Sequence, residues 1–249
     1  MVNSYLRCPK AFEYRYIHGL KIAPAWAVVG RSAHAAEETN MKQKLVSHSD
    51  LPLADMHGMA VEEFEKTVNS GTEEIMWENA AEPGQAKDRT VFGVTSHHTL
   101  VAPKIQPLMV EHEINLVLPW GTPITGRVDL IDQDTAIRDT KHVSYRPRPG
   151  EEWYQSQPGL YGWMYKAQTG EIPKFRLDYV VLGRKDVLRP KPDVVSVETK
   201  MSDQRIKLAL DRVQQTEKLI RSGAAPANAS ERTCSGCGYR KLCPYSAAT

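Results

Sequence analysis

Cysteine is scarce in this chain: only four occur in 249 residues. That excludes the disulfide-dense scaffold of a small secreted domain. Long apolar runs are missing as well. No stretch approaches the ~20 apolar residues of a membrane-spanning helix, and no charged-then-apolar leader opens the sequence. These absences predict a soluble protein of the reducing cytoplasm with no membrane partner. An excess of either charge is also lacking. A formal net charge of +2 does not mark the whole chain as a nucleic-acid binder, so any such binding must come from local clusters. Arg146-Pro147-Arg148 and Arg184-Lys185, followed by Arg189 and Lys191, are the candidates. They read equally as solvated loop charge.

The cysteines that are present sit at the two ends. Cys8 lies near the start, and Cys234, Cys237 and Cys243 form C-x2-C-x5-C near the end. A metal ion or an iron–sulfur cluster is the use for thiolates gathered this way in a reducing compartment. Such a site would draw both ends of the chain to one point. Spacing alone does not separate zinc from iron–sulfur. Zinc is the default for a C-x2-C knuckle, but a zinc ribbon pairs two such knuckles and Cys8 stands alone.

Between the ends the texture changes from helical to extended. A short helix is expected to begin near Ser4, another to run from about Ser32 into the mid-forties, and a third to lie near Asp55. There Met56, Ala60, Phe64 and Val68 form one stripe. Glu73 to Asn79 reads as a further helical stretch, broken by Pro83-Gly84. Alternation at Ile114, Leu116 and Leu118 then signals a strand. Ile124–Ile131 and Ala136–Lys141 read as two arms of a hairpin around Asp132-Gln133-Asp134. Arg176–Leu182 and Val194–Val197 are further strands, Glu151–Gln168 an aromatic-rich helix between them. The last helix starts near Ser202 and stops at Gly223 and Pro226. This order predicts a mixed α/β core with helical flanks.

The hairpin carries the chemistry. Asp129 and Asp139 are symmetric about Asp134, so a turn centred there sets them across from one another. Lys141, two residues beyond Asp139, leaves the same sheet face. Two carboxylates that close repel unless a hard cation neutralises them, and Mg²⁺ takes one or two carboxylates while keeping waters. The plainer alternative is a surface hairpin with screened ion pairs.

Several pieces in order resemble a known family. Gly126-Arg127-Val128-Asp129-Leu130-Ile131 with Ile137-Arg138-Asp139-Thr140-Lys141 resembles the PD-(D/E)XK core of RecB-like exonucleases. Gly30-Arg31-Ser32-Ala33-His34 resembles that family's first motif. Gln157-Pro158-Gly159-Leu160-Tyr161 is similar to its Q-x-x-x-Y motif. Arg7-Cys8-Pro9 and the terminal Cys234, Cys237 and Cys243-Pro244 resemble the branch with a [4Fe–4S] cluster, which includes the CRISPR-associated (Cas-four) exonuclease and AddB-type nuclease domains. Asp139 stands where many relatives carry glutamate.

The resemblance implies a restriction-endonuclease-like fold, a central mixed β-sheet flanked by helices with its N- and C-terminal segments joined at a four-cysteine cluster. It implies one nuclease domain over residues 1–249, with cluster-binding segments 1–25 and 225–249, a helical part 26–105, a nuclease core 106–200 and a C-terminal helix 201–224. His34, Asp129, Asp139 and the Thr140 carbonyl would bind Mg²⁺ or Mn²⁺, and Lys141 would serve the attacking water. Gln157 and Tyr161 would steady the scissile strand or the site around it. Cys8, Cys234, Cys237 and Cys243 would hold the cluster, with Zn²⁺ as the other occupant. The implied activity is a metal-dependent DNase acting on single-stranded ends. Tyr154, Tyr161 and Trp163 offer stacking surfaces for bases, or core packing. A trimming subunit of a larger complex such as CRISPR spacer acquisition, a non-catalytic DNA-binding scaffold and a zinc-stabilised interaction module remain open.

Overall fold

The structure is a computed structural model that describes residues 2–147, 156–183 and 191–248. Its chain begins with two short helices, α1 (Val2–Arg7) and α2 (Pro9–Phe12), and a π-helical turn at Glu13–Ile17. Ser4 lies inside α1 rather than capping it. The strand β1 (Ile22–Pro24) leads into α3 (Ala25–Ser47), then α4 (Leu53–Asn69), β2 (Glu74–Met76) and α5 (Glu82–Leu100).

Three expectations fail in this region. Helix α3 starts at Ala25, before Ser32, because Val28 and Val29 already supply buried helix-face contacts. Residues 74–76 are not helical; they pair in parallel with β1, Ile22 opposite Glu74. Pro83 does not break a helix but sits in the first turn of α5. Proline is tolerated there because its missing N–H has no intrahelical partner anyway.

A five-stranded sheet follows, in the spatial order β3 (Pro107–Val117), β4 (Pro123–Asp132), β5 (Ala136–Val143), β6 (Lys174–Val181), β7 (Val194–Thr199). All neighbours are antiparallel except β5 and β6, which are parallel. Parallel neighbours need a crossover, and α6 (Ser156–Thr169) provides it. Helix α7 (Asp203–Arg221) packs on α6, capped by Ser202, whose hydroxyl accepts from the Arg205 amide. The short α8 (Glu231–Ser235) opens the cysteine knuckle. The mixed α/β class expected from the sequence is therefore the observed one.

The β4–β5 turn is built by Asp132. Its buried Oδ1 accepts from the amides of Asp134 at 2.9 Å and Ala136 at 3.0 Å. Thr135 takes φ 55°, so the loop can close in a left-handed residue. Leu130 then pairs with Arg138 and Ile131 with Ile137, which puts Asp129 one step beyond in line with Asp139.

The sheet separates two packed layers. On one side Val128, Ile131, Ile137 and Phe175 meet Met164 of α6. On the other, Leu130 and Val110 pack with Met41 of α3. Strict alternation would put Val128 and Leu130 on one face, and Val110 and Ile114 on one face. Both pairs are split between the layers. The pleat therefore changes face on β3 and β4 at the same level. Glu111, at φ 53°, marks the switch on β3. It faces Asp129 across the gap between the paired Val110–Leu130 and His112–Val128.

Close helix packing is what Gly159 permits. A Cβ there would meet the Ala209 Cβ at 2.6 Å and the Arg205 carbonyl at 2.9 Å. Alanine in a helix interior is ordinarily better than glycine by about 1 kcal/mol. Here overpacking reverses the sign, and Gly159→Ala is expected to lower stability by about 1–3 kcal/mol. Denaturant unfolding of the two proteins checks this; an unchanged or raised midpoint contradicts it.

Candidate active site

Helix α3 brings His34, Glu37 and Glu38 to one face, since they are three and four residues apart. That face meets the sheet where β4 leaves β5. His34 Nε2 lies 3.2 Å from Asp129 Oδ2, so α3 and the hairpin meet there. Lys141 Nζ donates to Asp139 Oδ1 at 2.7 Å, which places both on one sheet face. The other oxygen, Asp139 Oδ2, is buried and has no hydrogen-bond partner. Thr140, on the opposite face of β5, lines a pocket with His34, Glu37, Glu38, Glu111 and Asp129.

The electrostatics are those of a carboxylate pair short of positive charge. Burial pushes Asp139 up to about 7; Lys141 pulls against this and the Asp129 charge adds to it. Burial pulls the His34 imidazole down, but its hydrogen bond to Asp129 and the charges of Asp129, Glu37 and Glu111 win and hold it at about 9. Asp129 is pushed up by burial yet ends below the usual carboxylate range, because His34 and Lys141 stabilise its charge. An orphaned buried carboxylate oxygen beside a second carboxylate and an imidazole is a donor set that fits a hard divalent cation. The three side chains do not close on a single point, however. His34 reaches Asp129, while Asp139 is engaged with Lys141.

Gln157 and Tyr161 reach the β4 backbone near Asp129. Tyr161 Oη donates to the Arg127 carbonyl at 2.7 Å, two residues before Asp129, and Gln157 Nε2 lies 3.4 Å from that hydroxyl. Gly126 lets the helix come this close, since a Cβ would meet Met164 Sδ at 2.5 Å. Tyr161 and Trp163 are packed against the sheet core, which favours the core reading over open stacking platforms. Tyr154, Arg148, Arg184, Lys185 and Arg189 lie outside the described residues. Arg146 is engaged with Asp193, at 2.6 and 2.7 Å.

The sequence profile of the PD-(D/E)XK nuclease superfamily matches residues 1–244. The chain belongs to the PD-(D/E)XK nuclease superfamily. No curated protein matches it in sequence. Similar solved structures include the following two. One is a candidate exonuclease from Eubacterium rectale, 15% identical over 72% of this chain and 71% of its own, with a TM-score of 0.44. The other is SSO0001, 13% identical over 99% and 98%, with a TM-score of 0.41.

In this PD-(D/E)XK chain the ends are tied by direct bonds. Tyr5 Oη donates to the Ala224 carbonyl at 2.5 Å, Asn228 to the Arg7 carbonyl at 2.9 Å and Tyr239 to the Leu20 carbonyl at 2.8 Å. Cys8, Cys234, Cys237 and Cys243 all line one pocket there. Among the described residues no three of their sulfurs gather within 4.8 Å of one another. Burial raises the Cys237 thiol above its ordinary value.

The same criterion does select one group that motif reading missed: His34, Glu38 and Glu111. Helical spacing from His34 would have found Glu38. Glu111 was hidden because the strand register across from Asp129 is a tertiary property. His142 and His97 were missed too. His142 Nε2 contacts Glu37 Oε1 at 3.0 Å, fully inside the protein, and His97 is buried beside them. Of the described residues, no helix is long and apolar enough to cross a membrane.

Proposed function

We propose that this nuclease-superfamily protein is a Mg²⁺- or Mn²⁺-dependent DNase that degrades single-stranded ends. The observation that carries the reading is the meeting of His34 with Asp129 at 3.2 Å beside the Asp139–Lys141 pair at 2.7 Å. His34, Asp129, Asp139 and the Thr140 carbonyl are the residues assigned to the cation. When bound, such an ion polarises a phosphodiester oxygen and lowers the pKa of its water. Lys141 would orient that water and offset charge on the transition state. Tyr161 and Gln157 hold the β4 backbone so that Asp129 stays aimed at His34. They are positioning residues.

Ligation requires the neutral imidazole. A His34 held at about 9 must give up its proton, so Mn²⁺ affinity is expected to rise as pH climbs toward that value. Affinity independent of pH below it contradicts the His34 assignment.

The finer kinship, a RecB-like nuclease with an iron–sulfur cluster, is part of the proposal. Four cysteines lining one pocket support it. Zinc at ~2.3 Å from each sulfur needs a tight tetrahedron. Iron and acid-labile sulfide in anaerobically prepared protein support this part; zinc in their place refutes it.

The activity is tested with end-labelled single-stranded DNA in Mn²⁺ and in EDTA. Shortening of the strand only in Mn²⁺ is the expected result. Binding without cleavage in Mn²⁺ would make the protein a non-catalytic DNA binder.

A further inference from the structure

Away from the Asp129–Asp139 hairpin, a cavity of about 250 Å³ opens between α3, α5 and the cysteine knuckle. Pro24, Val29, Met76 and Ala86 give it an apolar lining. Trp26, at the start of α3, lines it too and is 53% exposed. An exposed side chain is ordinarily free to change rotamer, but this one is pinned. Its Nε1 donates to the Gly236 carbonyl at 3.0 Å. The Arg7 guanidinium lies 5.6 Å from the ring centroid and donates to the same carbonyl at 3.3 Å. An indole both exposed and fixed is a stacking surface built before any ligand arrives.

The charges around the cavity balance, Arg89 and Arg240 against Glu78 and Glu82. Both arginines are already engaged. Arg89 donates to the Gly183 carbonyl and to Ser144 Oγ, each at 3.1 Å, and Arg240 to the Ser235 carbonyl at 2.7 Å. Such a lining has little hold on a free phosphate, which needs uncommitted positive donors. It suits an uncharged flat ring with polar edges. A nucleobase is a ring of that kind, and every base has a face to stack.

Two elements connect the cavity to the hairpin site. Trp26, Gly30 and His34 are spaced four residues apart on α3 and form one ridge. A Cβ at Gly30 would meet nothing within 4 Å, so the ridge is open between indole and imidazole. At ~1.5 Å per residue the two rings are about 12 Å apart along the helix. Strand β5 spans the same gap: Ser144, which lines the cavity, lies about 10 Å beyond Lys141 at ~3.3 Å per residue. Resting on the nuclease reading, we propose that this cavity takes one unstacked base of the DNA strand, laid on Trp26. Stacked nucleotides rise ~3.4 Å each, so that base lies within about three nucleotides of the bond that is cut.

The test has two arms. In the first, full-length protein in EDTA is irradiated with single-stranded oligonucleotides carrying one 4-thiothymine, and cross-links are mapped by mass spectrometry. Attachment to Trp26 or another residue lining the cavity is expected. Cross-links confined elsewhere, or labelling by free 4-thiothymidine but not by the strand, overturn the proposal. In the second arm, end-labelled strands with one abasic residue are digested in Mn²⁺. Losing one base stack weakens binding by about 5- to 100-fold. Wild type should therefore stall by about tenfold when the abasic residue stands at one fixed distance from the cut, within about three nucleotides. Trp26→Ala should lack that stall, and Trp26→Phe should keep it. Even digestion past the abasic residue by wild type, or a stall undiminished in Trp26→Ala, overturns the proposal. Should Trp26→Ala fail to fold, the wild-type stall and cross-link decide alone. Cleavage with neither stall nor cavity cross-link sinks this inference and leaves the nuclease reading standing; a cavity cross-link without cleavage does the reverse.

Discussion

Asp139→Asn is expected to lower Mn²⁺-dependent DNA cleavage by about 10³-fold while leaving the protein folded. The size follows from removing one preorganised charge from a phosphoryl-transfer site, where single groups are worth about 10²–10³-fold. The stability side has a definite sign. Burial raises Asp139 to about 7, so the folded state holds its proton more tightly than the unfolded chain does. Below the unfolded carboxylate pKa of ~3.9 both states are protonated and the residue costs nothing. Between that value and about 7 the penalty grows, because the unfolded chain ionises first; above 7 both states are ionised and it levels off. Asparagine removes that penalty, so in metal-free buffer the variant should melt no lower than wild type near neutrality, and higher above it. Cleavage near the wild-type rate contradicts the site assignment, and a variant that is less stable at high pH contradicts the electrostatics.

Asp132→Ala is expected to do the opposite, costing about 3 kcal/mol of stability with little loss of activity per folded molecule. Asp132 is fully buried. Its Oδ2 accepts from Arg138 Nε at 2.6 Å and Arg176 Nη1 at 3.0 Å, and its Oδ1 holds the two turn amides. Breaking a buried ion pair costs about 3–5 kcal/mol. The low end applies because Arg138 keeps Asp178 at 2.6 Å, and Arg176 keeps Asp134 and Glu198. In a chain this long ~1 kcal/mol moves the midpoint by about 2–4 °C, so the melting temperature should fall by about 6–12 °C. Asp132→Asn, which can still accept from the amides, should lose less. Equal losses for the two variants would show that the turn amides contribute nothing.

What was legible in the sequence was what local spacing determines. The β4–β5 hairpin was visible because only four residues separate the two arms read from the sequence, and symmetry about Asp134 gave the alignment of Asp129 with Asp139. The last helix was readable from about Ser202, which the structure shows as the N-cap of α7. The failures have a common cause. Residues 74–76 become a strand only because β1 lies beside them. The buried face of α3 carries Ser32, Glu37, Asn40 and Lys44, so its early turns lacked a clean apolar stripe. Lys44 is tolerated there because it donates to Asp50 and the Ala102 carbonyl, both at 2.8 Å. At the site, His34, Asp129, Asp139 and Lys141 were readable from motif order. Glu111 was not, because its proximity depends on how α3 crosses the sheet and on the change of face there; Glu37 and Glu38 share a helix face with His34 but belong to no motif.

The central claim is that a divalent ion sits on His34 between α3 and the Asp129–Asp139 hairpin. Electron spin-echo spectroscopy of the Mn²⁺-loaded protein tests it most directly. Nitrogen coupling from one directly bound imidazole is expected in the wild type, lost in His34→Ala and kept in His142→Gln. Bound Mn²⁺ with no nitrogen coupling, or coupling that survives His34→Ala, would place the ion elsewhere and contradict the account.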